Sequence, residues 1–391
     1  MNSICTRFAK VVALTCGLIL TATTGWTQES DGFQTQGGKK KHRKRQERPI
    51  QLGTSGSNAE DIAGGYCCNG TLGALVEKNG IQYVLSNNHV LGRSNNGKKG
   101  EAIIQPGYSD QSCPARNEAM DTVAHLTAKK RIRFGSDRSN KADVAIAEVV
   151  PGAVRPDGEI LKIGVPGTTP AAPFIGMQVK KAGRTTGLTR GVVTAIDVSV
   201  IIEDFPLDCS EAETTSAVFN KQIIISGNDG KRFLDSGDSG SMAYRDEEHC
   251  PAPVGLLFAG GGNLAAAAPA STVLKTVRKL KPRGGTASFV GCQSAGMEIA
   301  SRTTPILRPT RVREASDALQ ESRQSLLDAH GVQAVGVGMT LSGPIEPAIY
   351  VFATESRDEM LGRLPERVGD FAVEVIETDR LVAYCGQRES G

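Results

Sequence analysis

Beyond residue 64 the chain breaks into short apolar runs bounded by glycine and asparagine, and no long amphipathic helix separates them before residue 270. A run too short to make a helix buries its side chains by pairing edge to edge with other runs, so the pattern restricts this region to sheets. Gly70-Thr71-Leu72-Gly73-Ala74-Leu75-Val76 and Ile81–Ser86 read as strands joined by Asn79-Gly80, a pair that accepts the positive φ of a two-residue hairpin turn. Further strands are predicted at 101–105, 121–134, 142–149, 177–183, 191–202, 221–226, 240–244 and 253–259. Hairpin spacing throughout, with 45 glycines to supply the turns, points to all-β barrels or a sandwich.

The flanks have a different character. Arg7 and Lys10 precede an apolar run over 11–20 that is too short to span a bilayer, and small residues follow it. Residues 1–25 therefore read as a signal peptide, which predicts a secreted or periplasmic protein with no stable membrane span. Residues 26–60 are polar and carry Lys39-Lys40-Lys41-His42-Arg43-Lys44-Arg45, as expected of a basic disordered linker or pro-segment. The strand-rich body fills 61–283 and ends in a helix over 271–280. A linker at 284–310 leads to a small α+β domain over 311–391, with a helix at 313–329, strands at 332–339, 348–353 and 371–376, and a short helix within 357–368.

Net charge is only +3 and no glycine-rich phosphate loop ends in Lys-Ser/Thr, so no nucleic-acid or nucleotide partner is expected. Seven cysteines follow the signal peptide, at 67, 68, 113, 209, 250, 292 and 385. Export permits disulfides, the odd count leaves at least one thiol unpaired, and adjacent Cys67 and Cys68 are poor partners for each other. Their spacing fits no zinc site, and neither a metal nor a cofactor is expected. The sequence does not specify an oligomeric state.

One stretch carries chemistry. Leu234-Asp235-Ser236-Gly237-Asp238-Ser239-Gly240-Ser241 places a serine on a tight turn whose glycines let backbone N–H groups point at a developing oxyanion. Taken alone it also reads as a polar turn between strands, and upstream partners separate the two readings. A serine hydroxyl is a weak nucleophile at neutral pH and needs a base, which in turn needs an orienter. Of five histidines, His42 lies in the basic run, His125 within a strand, His249 in a loop and His330 in the small domain; His89 stands where a strongly apolar strand ends. Asp143 sits inside the apolar strand Ala142-Asp143-Val144-Ala145-Ile146, where a buried charge requires a partner. His89, Asp143 and Ser239 are the candidate catalytic residues.

That order and these motifs resemble a trypsin/chymotrypsin-like serine protease of the bacterial kind over residues 64 to 282. Ser-Asn-Asn-His89-Val resembles its histidine motif, Asp143-Val-Ala-Ile its aspartate motif and Gly237-Asp-Ser239-Gly its serine motif. Gly183-Arg184-Thr185-Thr186-Gly187 is similar to a segment of the alpha-lytic and streptogrisin proteases. The resemblance implies a mainly β chymotrypsin-like double barrel that hydrolyses peptide bonds through an acyl-enzyme, with a protein or peptide as substrate. It implies an oxyanion hole from the N–H groups of Gly237 and Ser239, and a pairing of Arg184 with Asp238 that supports the turn. It also implies an extended peptide paired on Ala259, Gly260 and Gly261. Departures are Ser241 where glycine is frequent, Ala259 where a serine often binds the aspartate, and Arg190 where the family has a cysteine. A peptide-binding pseudo-protease is the alternative. The C-terminal unit resembles one that accompanies similar proteases and the narrow-leaf proteins, through Leu364-Pro365-Glu366-Arg367 and Val375-Ile376-Glu377-Thr378.

Overall fold

The computed structural model describes residues 41–111, 113, 118–210, 212–281, 284–293, 306–383 and 386–389; the expected signal peptide lies outside them. The protein is mainly β, in two sheets. The first follows the path Ala74–Lys78, Ile81–Ser86, Ala145–Val149, Thr122–Lys129, Ala102–Ile104, Thr54–Asn58 and Tyr66–Leu72. Only Gly73 separates Tyr66–Leu72 from Ala74–Lys78, so the two ends of the path meet in one bent strand.

In the second sheet Gly187–Pro206, Gln178–Gly183, Met242–Arg245, Pro253–Gly261, Leu264–Pro269 and Thr214–Gly227 pair in that order. A further pairing of Gly187–Pro206 with Thr214–Gly227 closes these six into a barrel. Each sheet contributes to a distinct core, and the first core also takes in Met242 and Leu256 of the second sheet. Leu72, Val84, Ile103 and Ile146 are buried in one, and Val179, Val193, Ile225 and Leu257 in the other. Each such side chain contributes roughly 1.5–3 kcal/mol by leaving water. Strict alternation is lost where both faces of a strand are covered: all of Pro253–Gly261 is buried but its last residue.

The closing helix spans Ala270–Lys279 and buries Val273, Leu274 and Val277. Its C-terminal carbonyls are held by Lys78 of the first sheet, whose Nζ donates to Val277 O at 3.0 Å and Leu280 O at 2.6 Å. A cation placed there also opposes the negative end of the helix dipole.

Three expected boundaries are corrected. The described part of the expected linker at 26–60 belongs to the body: Ile50 and Leu52 are in the first core, Thr54–Asn58 is a strand, and buried His42 donates from Nδ1 to Gly53 O at 2.8 Å. The expected linker at 284–310 contains the strand Ala287–Phe289, paired with Ala74–Lys78. The small C-terminal unit shares a sheet with the second barrel, because Val332–Met339 pairs antiparallel with Gly187–Pro206. Helices Pro309–Leu327 and Arg357–Leu361 accompany it, the latter started by a capping box from Ser356 and Glu359.

Among the described residues disulfides join Cys67 to Cys113, Cys68 to Cys209 and Cys250 to Cys292. Cys385 lies outside the described residues. No helix among the described residues is long and apolar enough to cross a membrane.

Candidate active site

His89 lies on the one-turn helix Asn88–Leu91 that follows the strand Ile81–Ser86. Asp143 lies just before Ala145–Val149, the neighbour of that strand in the sheet. The sheet therefore delivers both side chains to one place, and both are buried. Asp143 Oδ2 meets His89 Nδ1, while Oδ1 accepts the backbone N–H of Asn88 at 2.6 Å and of His89 at 3.3 Å. Asn87 Nδ2 donates to Asp143 O at 2.9 Å, and Asn88 Nδ2 ties the turn to Lys130 O at 2.8 Å. The imidazole stands edge-on to Phe205, with ring centroids 5.7 Å apart. With Nδ1–H directed at the carboxylate, Nε2 carries the free lone pair. Nε2 is buried and has no hydrogen-bond partner among the described residues.

The turn carrying Ser239 comes from the second barrel and docks on the first. Thr71 N–H donates to Ser239 O at 2.8 Å, and Thr71 Oγ1 to Gly237 O at 3.0 Å. The approach demands glycine on both sides. A Cβ on Gly73 would lie 1.8 Å from Gly240 O, and one on Gly240 would lie 1.9 Å from Ser86 Oγ. Gly240 also has a φ of 90°, in the left-handed region. Ser86 is three residues before His89, so this contact sets the turn against the strand that leads to His89. Ser239 Oγ donates to Phe258 O at 3.4 Å and makes no hydrogen bond to His89 Nε2. The structure thus joins Asp143 to His89, and the turn bearing Ser239 to the strand that precedes His89.

Asp238 is fully buried, and the residue on it is Lys181 rather than Arg184. Lys181 Nζ lies 3.1 Å from Asp238 Oδ2, which also accepts Thr186 Oγ1–H at 2.6 Å and Asp235 N–H at 3.1 Å. Oδ1 accepts the N–H groups of Thr185 and Thr186 at 2.7 and 3.1 Å. Burial alone raises this carboxyl's pKa; the Lys181 ammonium and the Thr186 and Thr185 hydrogen bonds outweigh it and hold the pKa below the usual carboxylate range. The expected Arg184–Asp238 pairing is therefore corrected. The Arg184 guanidinium instead forks onto Asp110, through Nε to Oδ2 and Nη2 to Oδ1 at 2.8 Å. It still braces the site, because its backbone N–H donates to Thr71 Oγ1 at 3.0 Å.

Of the expected substrate-lining residues, Gly260 and Gly261 border a cavity of about 170 Å³ that also touches Ser239 and Leu234. Ala259 does not: it is wholly buried in an apolar cluster with Phe205 and Phe258. Gly260 is already paired, donating to Val382 O and accepting from Val382 N–H, both at 3.0 Å. Phe233 belongs to the core.

The Nal1 C-terminal domain family model matches residues 138–270. That span precedes the small C-terminal unit, so the likeness to narrow-leaf proteins falls elsewhere than the sequence placed it. No curated protein matches the chain. Among solved structures it is similar to a glutamic-acid-specific serine protease at 16% identity, covering 62% of this chain and 100% of that one with a TM-score of 0.39. It is likewise similar to Thermobifida fusca protease A, at 14% identity, 62% and 99% coverage and a TM-score of 0.39. An alpha-lytic protease homolog, N4, gives 21% identity, 56% and 97% coverage and a TM-score of 0.36. The fold stands on the strand pairings above.

Several site residues went unread in the sequence: Asn87, Asn88, Thr71, Ser86, Asp110 and Lys181. Lys181 carried a signal. In Gln178–Gly183 it shares the inward phase with Val179, and both are completely buried. Asp110 carried none, since it sits in the short turn Tyr108–Asp110, distant in sequence from Arg184.

Proposed function

We propose that this protein is an exported serine endopeptidase that cleaves peptide bonds by acyl transfer. The observation that carries the proposal is the buried Asp143–His89 pair with an unpartnered Nε2 lone pair beside a serine-bearing turn. Leaving a buried acceptor unpaired costs about 1–3 kcal/mol, a cost that has a purpose when the group must take a proton during a reaction.

The Ser239 hydroxyl turns from Phe258 O toward Nε2. As Oγ bonds to the substrate carbonyl carbon, its proton passes to Nε2. Asp143 stabilises the imidazolium, and the N–H groups of Gly237 and Ser239 hold the oxyanion. The imidazolium then protonates the leaving amine as the C–N bond breaks. Water adds to the acyl ester and gives a proton to Nε2, which returns it to Oγ as the acid departs. Export accords with the three disulfides among the described residues, bonds that persist in oxidising compartments.

The peptide-binding alternative has one observation in its favour, the Ser239 hydroxyl resting on Phe258 O. Fluorophosphonate labelling separates the two, because only an activated serine reacts. The expected result is labelling of the wild type and none of Ser239→Ala, with hydrolysis lower in the mutant by several orders of magnitude. Equal hydrolysis by both overturns the proposal.

A further inference from the structure

The groove beside Ser239 is not open. Val382 makes two reciprocal backbone hydrogen bonds with Gly260, an antiparallel bridge of the kind by which an extended peptide adds to a sheet edge. The neighbouring backbone follows closely: a Cβ on Gly261 would lie 2.3 Å from Arg380 O. Asp379, Arg380 and Val382 also line the cavity that touches Ser239. Farther along the chain, Gly386–Glu389 pairs antiparallel with Tyr66–Asn69, in the strand whose Thr71 holds Ser239 O. The C-terminal segment is therefore anchored by the second barrel at Val382 and by the first sheet at Gly386–Glu389, with residues 384 and 385 outside the described residues.

Its side chains follow a strand rule. Leu381 and Ala383 are completely buried, in the apolar cluster that holds Phe258 and Phe205, while Arg380, just before them, turns outward to Asp204 and Glu203. Phe205 is the ring against His89. A separate holder keeps the segment in register, since Gln333 Oε1 accepts the Leu381 N–H at 2.7 Å.

We propose that residues 379–383 are a built-in substrate strand. They occupy the peptide site of Ser239 and must leave before an external chain enters. Their form names the substrate class: an extended peptide, paired by its backbone to Gly260, with aliphatic or small side chains at the positions of Leu381 and Ala383. This rests on the peptide-hydrolase reading of the groove. A tethered strand meets its own site at an effective concentration near millimolar, so a free peptide competes only when it binds well or the tether lets go.

The test measures occupancy apart from chemistry. In a Ser239→Ala background, a fluorescent peptide of residues 379–389 carrying Cys385→Ser is titrated by anisotropy. The titrated proteins are the full chain and a chain ending at Thr378. The shortened chain is expected to bind on the order of ten-fold or more tighter. Introducing Leu381→Asp or Ala383→Asp into the peptide removes that binding, and Arg380→Ala leaves it. Equal binding by the two chains, or none by a folded shortened chain, overturns the proposal. Because removal of Leu381 opens an apolar cluster, a full-length Val382→Pro variant is the second arm. Proline lacks the N–H given to Gly260 O, and both buried side chains stay. With Ser239 intact, Val382→Pro is expected to label with a fluorophosphonate about ten-fold faster than wild type. Equal rates overturn the proposal. No labelling in either chain, with tighter peptide binding by the shortened one, overturns the hydrolase reading and supports the built-in strand.

Discussion

Two aspartates of this protein are equally hidden from solvent and are treated in opposite ways. Asp238 is clamped by a permanent cation, a hydroxyl and three backbone N–H groups, so both oxygens are committed. Asp143 has two backbone N–H groups on one oxygen and an imidazole on the other. A partner that is always charged repays burial of a carboxylate without further change, and locks the turn it belongs to. An imidazole repays it in full only when protonated, so its pair is strongest at the moment a proton arrives. One carboxylate holds a backbone shape; under the proposed function the other is matched to a charge that comes and goes.

That contrast is broken most directly by neutralising each member. Asp143→Asn keeps an oxygen for the Asn88 and His89 N–H groups but supports the wrong imidazole tautomer. Hydrolysis is expected to fall about 10⁴-fold with the fold retained, as read by kcat/KM and circular dichroism. A loss under ten-fold would place Asp143 with Asp238 as a purely structural acid. Lys181→Met strands a buried carboxylate and is expected to cost about 3–5 kcal/mol of stability, read by urea denaturation. If Lys181→Met is as stable as wild type, the turn is held by the hydroxyl and N–H groups alone.

The comparison also measures what the sequence made legible. Asp143 is legible because an acid interrupts an apolar strand, and its carboxylate meets His89 Nδ1. The same rule applied to Val179 and Lys181 would have exposed the second buried charge, but the neighbouring Lys180 masked the phase by making the pair look like a solvated basic edge. Likeness alone pairs Arg184 with Asp238, whereas its partner Asp110 is far away in sequence, in a turn that has no periodicity to read. The strands were legible as elements because turn residues punctuate them. A barrel was expected from their spacing and from the resemblance, but the strands that close it were not legible, since pairing of Gly187–Pro206 with Thr214–Gly227 depends on long-range register. The bridge of Val382 to Gly260 was hidden for the same reason.

Smaller changes sharpen the contrast. Thr186→Val removes the hydroxyl that accepts from Lys181 Nζ and donates to Asp238, and is expected to cost about 1.5–3 kcal/mol. It also predicts a pH signature. Asp238 is depressed in the folded state, so its stabilisation is complete above its unfolded pKa, about 3.9, and is lost as pH falls through the lower folded value. With one bond gone the folded value rises, and the loss on acidification begins at higher pH. Urea midpoints recorded across this range would show the two curves separating; coincident curves would mean the hydroxyl does not stabilise the ionised form.

The smallest effect expected is the most discriminating between Lys181 and Arg184. Both cations come from one strand and its end, both are buried, and either could be supposed to neutralise the turn. The guanidinium is spent on Asp110 in a two-bond fork, a geometry that fixes it there. Arg184→Met is therefore expected to leave the titration of the Asp238 carboxyl, followed by carbon NMR, close to that of wild type. Lys181→Met shifts it upward, because burial then acts on the carboxylate without the opposing ammonium. If Arg184→Met raises the Asp238 pKa as much as Lys181→Met does, the charge that holds the serine turn is shared. The division between a locked carboxylate and a responsive one would then have to be drawn without assigning Lys181 the lock.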